Sequence, residues 1–184
     1  MGNPMAHKEQ RDFCLSVKSL FPQKFEKARV LDVGSLDVNG TNRHLFGGCD
    51  YTGLDIAAGK NVDVVCCAHE YKPGPIFDIV ICTEMLEHDQ QYPDSLRAMV
   101  GCLKPGGLLI ITCATTGRPE HGTRRTTPQD SPLTTQVGGW QDYYKNLTES
   151  DVRAVLDVSG LFSQYAFSVH AGHRDLQFWG VTKG

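Results

Sequence analysis

Apolar residues along the chain fall into two kinds of pattern. Over residues 7–21, Phe13, Val17, Leu20 and Phe21 stand at i, i+4, i+7 and i+8. That is the one-sided stripe of a helix packed on a sheet, and Pro22 ends it. Further on, apolar residues gather into short, nearly unbroken runs at 30–33, 51–54, 62–66, 76–82 and 108–112. Such runs suit parallel strands covered on both faces. Pro93 opens a helix carrying Leu96, Met99, Val100 and Leu103 on one side, and Lys104-Pro105-Gly106-Gly107 makes a stop and turn. Thr148 and Asp151 form a capping-box pattern ahead of Val152, Val155 and Leu156, with Gly160 as the stop. Runs at 161–169 and 176–182, joined by a short connection, predict an antiparallel hairpin. Five βα-type strands and a hairpin amount to a mostly parallel α/β sheet with an antiparallel C-terminal edge.

The stretch 29–55 organises the rest. An apolar strand stops at Gly34, a polar loop and a short helical segment over 41–46 follow, and a second strand ends in Asp55. Strand, glycine turn, short helix, strand and acid open a nucleotide-binding unit, the acid lying where ribose hydroxyls arrive. A dinucleotide needs a second glycine so that the backbone can approach a pyrophosphate. Leu36 holds that position and would crowd one. S-adenosyl-L-methionine carries no phosphate, so the loop favours it over NAD.

Length, charge and cysteines narrow the class. The 184 residues fit one domain: an N-terminal helix (1–28), a cofactor-binding core (29–113), a long loop on the substrate side (114–147), and a C-terminal helix and hairpin (148–184). A loop of that length is functional or disordered, and it leaves a strand end where it can cover a ligand. A net charge of −3 argues against a nucleic-acid partner. No apolar run is long enough to span a membrane, and the first residues show neither a secretory leader nor a myristoylation signal. Seven cysteines, most of them inside apolar runs, predict buried thiols in the cytoplasm. Cys66 and Cys67 are adjacent rather than spaced as C-x-x-C, so no metal site is expected.

Four stretches in order, LDVG (31–34), GLDI (53–56), FDIVICTEMLEH (77–88) and LKPGGLLIIT (103–112), resemble the class I S-adenosylmethionine-dependent methyltransferases, in particular the type 11 methyltransferase-domain group. The resemblance covers roughly residues 28–113. It implies a Rossmann-like three-layer α/β/α sandwich around a seven-stranded sheet, with S-adenosylmethionine as cofactor. It implies that the turn Gly34-Ser35-Leu36 meets the methionine part, with Asp32 orienting it, and that Asp55 accepts from the ribose. Ile56 should lie against adenine and Ala68 should offer it a backbone N–H. Cys67 stands where the family often has an acid for the adenine amino group, which leaves that contact to His69 or the backbone. Cys82 and Thr83 should flank the amino and sulfonium end. Residues 140–148 are similar to a stretch of methyltransferases encoded near polysaccharide genes, which brings a sugar acceptor into view.

Candidate catalytic groups lie beyond the cofactor. His88 closes TEMLEH at the ligand edge with the pKa of a general base; its duller role is capping or packing. His121 stands beside Glu120 in the long loop, where a solvated histidine is the duller role. Tyr143 and Tyr144 can line an acceptor pocket or pack in the core. Glu84 can bind the acceptor or the cofactor ammonium, or start a helix. Arg118, Arg124 and Arg125 can clamp an anionic acceptor or stay solvated. The expected function is methyl transfer to a small-molecule or sugar acceptor at oxygen. The alternatives are a nucleic-acid methyltransferase and a non-catalytic S-adenosylmethionine-binding regulatory module.

Overall fold

Seven strands, β1 (Arg29–Val33), β2 (Asp50–Asp55), β3 (Val64–Val65), β4 (Phe77–Thr83), β5 (Leu103–Ala114), β6 (Phe162–His170) and β7 (Asp175–Thr182), make one sheet in the order β3-β2-β1-β4-β5-β7-β6. Strand β7 runs antiparallel to both β5 and β6, and the other pairings are parallel. This is the expected Rossmann-like sheet with its antiparallel C-terminal edge. The computed structural model describes residues 6–184, so the expectations about a leader or myristoylation signal at the first five residues lie outside the described residues. No helix among the described residues is long and apolar enough to cross a membrane.

Strand alternation sends side chains to two cores. On one face Val30, Ile79, Ile81, Leu108 and Ile110 meet Cys14 and Val17 of α1 (Ala6–Leu20), and Phe25 and Phe46 of two short 3₁₀ turns. On the other, Leu31, Val33, Val80, Cys82, Leu109 and Ile111 meet Leu96, Met99 and Cys102 of α2 (Tyr92–Cys102). Val152 of α3 (Glu149–Val155) and Val158 of α4 (Val158–Leu161) join that second core. Helix layers on both faces complete the three-layer sandwich.

Local differences from the sequence reading have local causes. Leu20 is 59% exposed; the helix ends there, and Phe21 turns in to meet Trp179 edge-on at 5.0 Å. The segment after Gly34 winds only as a 3₁₀ turn, Asn42–Phe46, capped by Thr41. Strand β3 is two residues long, because Asp63 is taken up at the edge of β2, accepting from Gly53 N–H (2.8 Å) and Arg43 (2.7 Å). The expected turn at 103–107 lies inside β5 as a bulge: Leu103 pairs with Phe77, yet Leu108 already pairs with Ile79. Gly160 sits within α4 instead of ending α3. Leu156 caps α3, and Asp157 starts α4 by accepting from Gly160 N–H (2.9 Å).

Candidate cofactor site

The order of strands reverses between β1 and β4, and open α/β sheets bind ligands outside the strand ends at such a point. A cavity of about 910 Å³, mouth included, opens there. Its walls are the turn after β1, the end of β2, the end of β4, the edge of α1 at Gln10 and Arg11, and residues 130–134 of the long loop.

Backbone chemistry shapes the turn after β1. Gly34 has φ +80, and a Cβ there would stand 2.6 Å from Met85 Cβ. Ser35 is buried and donates to the Asn61 carbonyl (3.1 Å). Leu36 N–H donates to Asp55 Oδ2 (2.9 Å), while Ile56 N–H donates to Asp55 Oδ1 (2.8 Å). Burial raises the Asp55 carboxyl above its usual range against the pull of those two N–H groups. A carboxylate has about four acceptor directions, so the backbone leaves Asp55 room for two hydroxyls.

Beneath the turn, Asp32 shares the α1-side face of β1 with Val30. Its carboxylate accepts from the Tyr51 hydroxyl, and burial pushes its pKa up to about 7 in spite of that bond. Asn42 donates to the Thr83 hydroxyl (3.1 Å) and keeps a buried Oδ1 without a partner at the cavity wall. Glu84, the residue after β4, stands at φ +55, a left-handed strain typical of functional positions. It accepts from the Thr112 hydroxyl (2.9 Å) and Arg118 (3.0 Å). Burial first, and Asp175 second, push it up to about 7.

Of the residues expected at the cofactor, Asp32, Gly34, Ser35, Leu36, Asp55 and Thr83 line this cavity. Ile56, Ala68 and His69 lie outside it, half-buried beyond the end of β2. The Nδ1 of His69 is buried without a partner. Cys82 is wholly buried in the α2-side core, so its thiol turns away from the cavity.

The acceptor-side candidates divide. His88 lines the cavity, and its ring stands 5.2 Å from that of His121 and 5.7 Å from that of Tyr144. Burial lowers the pKa of both histidines, that of His88 to about 3, with His121 and Arg118 adding to the effect there. Both rings are therefore neutral at pH 7. Tyr143 stands apart near Tyr92 and Lys145; its neighbour Tyr144 is the tyrosine against the two rings. The three loop arginines are occupied by acids of the chain: Arg118 by Glu84 and Asp175, Arg124 by Asp142 (2.6 Å) and Arg125 by Glu120 (3.0 Å). They do not form a free anion clamp.

Gln10, Arg11, Asn42 and residues 130–134 were not singled out from the sequence. They have no motif and reach the site only through tertiary folding. Glu87 is another. It is wholly buried, accepts from Ala114 N–H (3.2 Å), and is raised well above the usual carboxyl range by burial, with Glu84 adding to it.

The charge of the lining selects a ligand class. Asp32, Asp55, Glu84 and Asp130 face Arg11 alone among formally charged side chains of the wall. With Asp32 and Glu84 part-protonated at neutral pH, the acid-rich wall still disfavours a pyrophosphate and suits a nucleoside that carries an ammonium and a sulfonium. The fold and cavity thus define an α/β domain for a cationic nucleoside-type cofactor. The chain belongs to the methyltransferase-domain family, whose model matches residues 5–132. These are class I S-adenosylmethionine-dependent enzymes. No curated protein matches the chain.

Solved structures share the fold at low identity. Phosphoethanolamine N-methyltransferase 2 of Haemonchus contortus, in complex with S-adenosyl-L-methionine, superposes with a TM-score of 0.67 at 15% identity, over 94% of this chain and 52% of that one. The chain thus spans about half the length of that enzyme. Magnesium protoporphyrin IX methyltransferase of Synechocystis PCC 6803, with bound SAH, gives 0.64 at 16%, over 97% and 84%. The 1,6-didemethyltoxoflavin-N1-methyltransferase of Burkholderia thailandensis gives 0.58 at 14%, over 100% and 92%.

Proposed function

We propose that the chain transfers the methyl group of S-adenosylmethionine to an oxygen of a small, hydroxyl-bearing acceptor such as a sugar, held beneath the loop 114–147 within one domain. The acid-rich cavity at the β1–β4 switch point carries this reading. When bound, the cofactor supplies a methyl group on a good leaving group, so the protein's task is alignment and exclusion of water. Asp55 holds the ribose hydroxyls. The Gly34-Ser35-Leu36 turn lies along the methionine part, and Asn42 Oδ1, Asp32 and Thr83 surround the ammonium. The base extends over Ile56 toward Ala68 N–H and the unpartnered His69. Residues 130–134 close the cavity over the acceptor. His88 and His121, both neutral, receive it at its far end with Tyr144 beside them. Transfer to oxygen is favoured because a hydroxyl must shed a proton as it attacks, and this end of the cavity holds uncharged imidazoles. Seven free thiols support a reducing, cytoplasmic setting.

Thermal unfolding of the full chain with S-adenosylmethionine, S-adenosylhomocysteine and NAD in parallel tests the cofactor. A ligand at about 100 times its dissociation constant stabilises the fold by roughly 2.7 kcal/mol, so a rise with the first two only is expected. S-adenosylhomocysteine release over a panel of hydroxyl, amine and thiol acceptors then tests the target atom. Turnover confined to amines would overturn the oxygen assignment.

A further inference from the structure

Behind the cavity wall three side chains converge without satisfying one another. Glu87 Oε2 is buried and unpartnered, as is Nδ1 of His88, a residue only 4% exposed. His121 Nδ1 lies 3.2 Å from the Pro119 carbonyl, and since a carbonyl only accepts, Nδ1 carries the proton. Its Nε2 is then a lone pair, 4.0 Å from Glu87 Oε1. One ligand-type atom from each of the three lies within 4.8 Å of the other two.

We propose that Glu87, His88 and His121 bind one divalent transition-metal cation of the zinc type at the acceptor end of the cavity. Two imidazoles and a carboxylate are a donor set for such a cation, with further positions left open, whereas magnesium and calcium prefer oxygen throughout. Bonds of about 2.0–2.2 Å around one tetrahedral cation place ligand atoms roughly 3.3–3.6 Å apart, so closing the triad draws its atoms, now within 4.8 Å of one another, together by up to about 1.5 Å, a movement of rotamers and of the 121 loop. The surroundings are built for it. His121 is oriented through its second nitrogen by a backbone carbonyl, as metal-bound histidines are. Glu87 and His88 share one 3₁₀ turn, Leu86–His88, pinned where the Glu87 carbonyl accepts from Lys145 N–H (2.9 Å). Gly122, at φ +63, leaves His88 room; a Cβ there would be 2.6 Å from His88 Cε1.

His88 belongs to both the triad and the cavity wall, so the open positions face the acceptor. Resting on the methyl-transfer reading, such a cation gives the acceptor end of the cavity a means of making a hydroxyl acidic. The acceptor hydroxyl gives its proton to solvent water, its oxygen forms the new bond to the methyl carbon, and the sulfur keeps the electron pair of the broken carbon–sulfur bond.

The test is titration of the chelator-stripped full chain with Co²⁺, followed by its visible absorption bands, with S-adenosylhomocysteine affinity measured calorimetrically on the same samples. The wild type should take up one Co²⁺ per chain, which Zn²⁺ displaces and Mg²⁺ does not. His121→Ala, in the loop, and the near-isosteric Glu87→Gln should each weaken uptake by more than about tenfold, the loss that even an outer-shell partner can cause. S-adenosylhomocysteine affinity should stay within about twofold in His121→Ala. Should Glu87→Gln fail to fold, His121→Ala decides alone. Absence of Co²⁺ bands in the wild type at millimolar metal, or uptake unchanged in His121→Ala, would overturn the site. Uptake without any S-adenosylhomocysteine binding would leave the metal site standing and remove the methyl-transfer reading.

Discussion

Asp55 joins two tasks in one carboxylate. It ties the β1 turn to β2 through Leu36 N–H and caps its own strand end through Ile56 N–H, with acceptor directions to spare toward the cavity. Hydrogen bonds to a charged group are worth about 1.5–3 kcal/mol, so Asp55→Ala should weaken S-adenosylhomocysteine binding by roughly 10- to 100-fold in calorimetry. Unchanged affinity would mean that the ribose is held elsewhere. Asp32 makes a prediction about pH. Its carboxyl titrates near 3.8 when exposed and at about 7 when folded, burial outweighing the Tyr51 bond. Between those values the folded chain binds the extra proton, so stability is fullest below pH 4 and is lost as pH rises through about 7. Asp32→Asn removes that contribution, at most about 1.4 kcal/mol per pH unit. Urea midpoints measured from pH 4 to 8 should therefore fall less steeply in the variant, and parallel curves would count against a buried, protonated Asp32.

Elements differ in how far they could be read from the chain. The α3 cap was legible because it is wholly local: Thr148 and Asp151 each accept from the other's N–H, at 3.3 and 2.8 Å. The apolar runs located the strands, most plainly the central β1, β4 and β5, whose burial on both faces leaves no alternation to misread. The turns Gly34 and Asp55 follow from what a βα unit demands of its backbone. What escaped was set by partners distant in sequence, such as the bulge of β5 against β4 and residues 130–134 folding back over β1. Arg118 is the clearest case. A solvated loop arginine was the duller expectation, yet its side chain is 11% exposed, inserted between Glu84, just past the end of β4, and Asp175 of β7. It joins the start of the long loop to two strands. Removing one member of a buried ionic group costs about 3–5 kcal/mol, so Arg118→Ala should lower the urea-derived stability by that order. A loss below 1 kcal/mol, on the order of a surface pair, would show that solvent reaches the cluster.

At the scale of the molecule, the sheet order places every proposed ligand contact on one side of a division. Strands β1, β2 and β4 end at the cavity, whereas β6 and β7 form the far edge and contribute nothing to its wall. Residues 130–134 span the opening from a loop whose ends are held by Arg118 at one side and by Leu147 N–H to the Ala114 carbonyl (2.9 Å) at the other. A ligand that bridges the β1 turn and this loop stabilises local openings there without altering the pairing of β6 with β7. Hydrogen exchange with S-adenosylhomocysteine bound should therefore slow at residues 34–36, 55–56 and 130–134, while amides of β6 and β7 exchange as before. Protection spread evenly over the sheet would mean that the ligand acts only through global stability. Protection of the β1 turn without the loop would mean that 130–134 answers to the acceptor instead, and that the cavity closes only when both substrates are present.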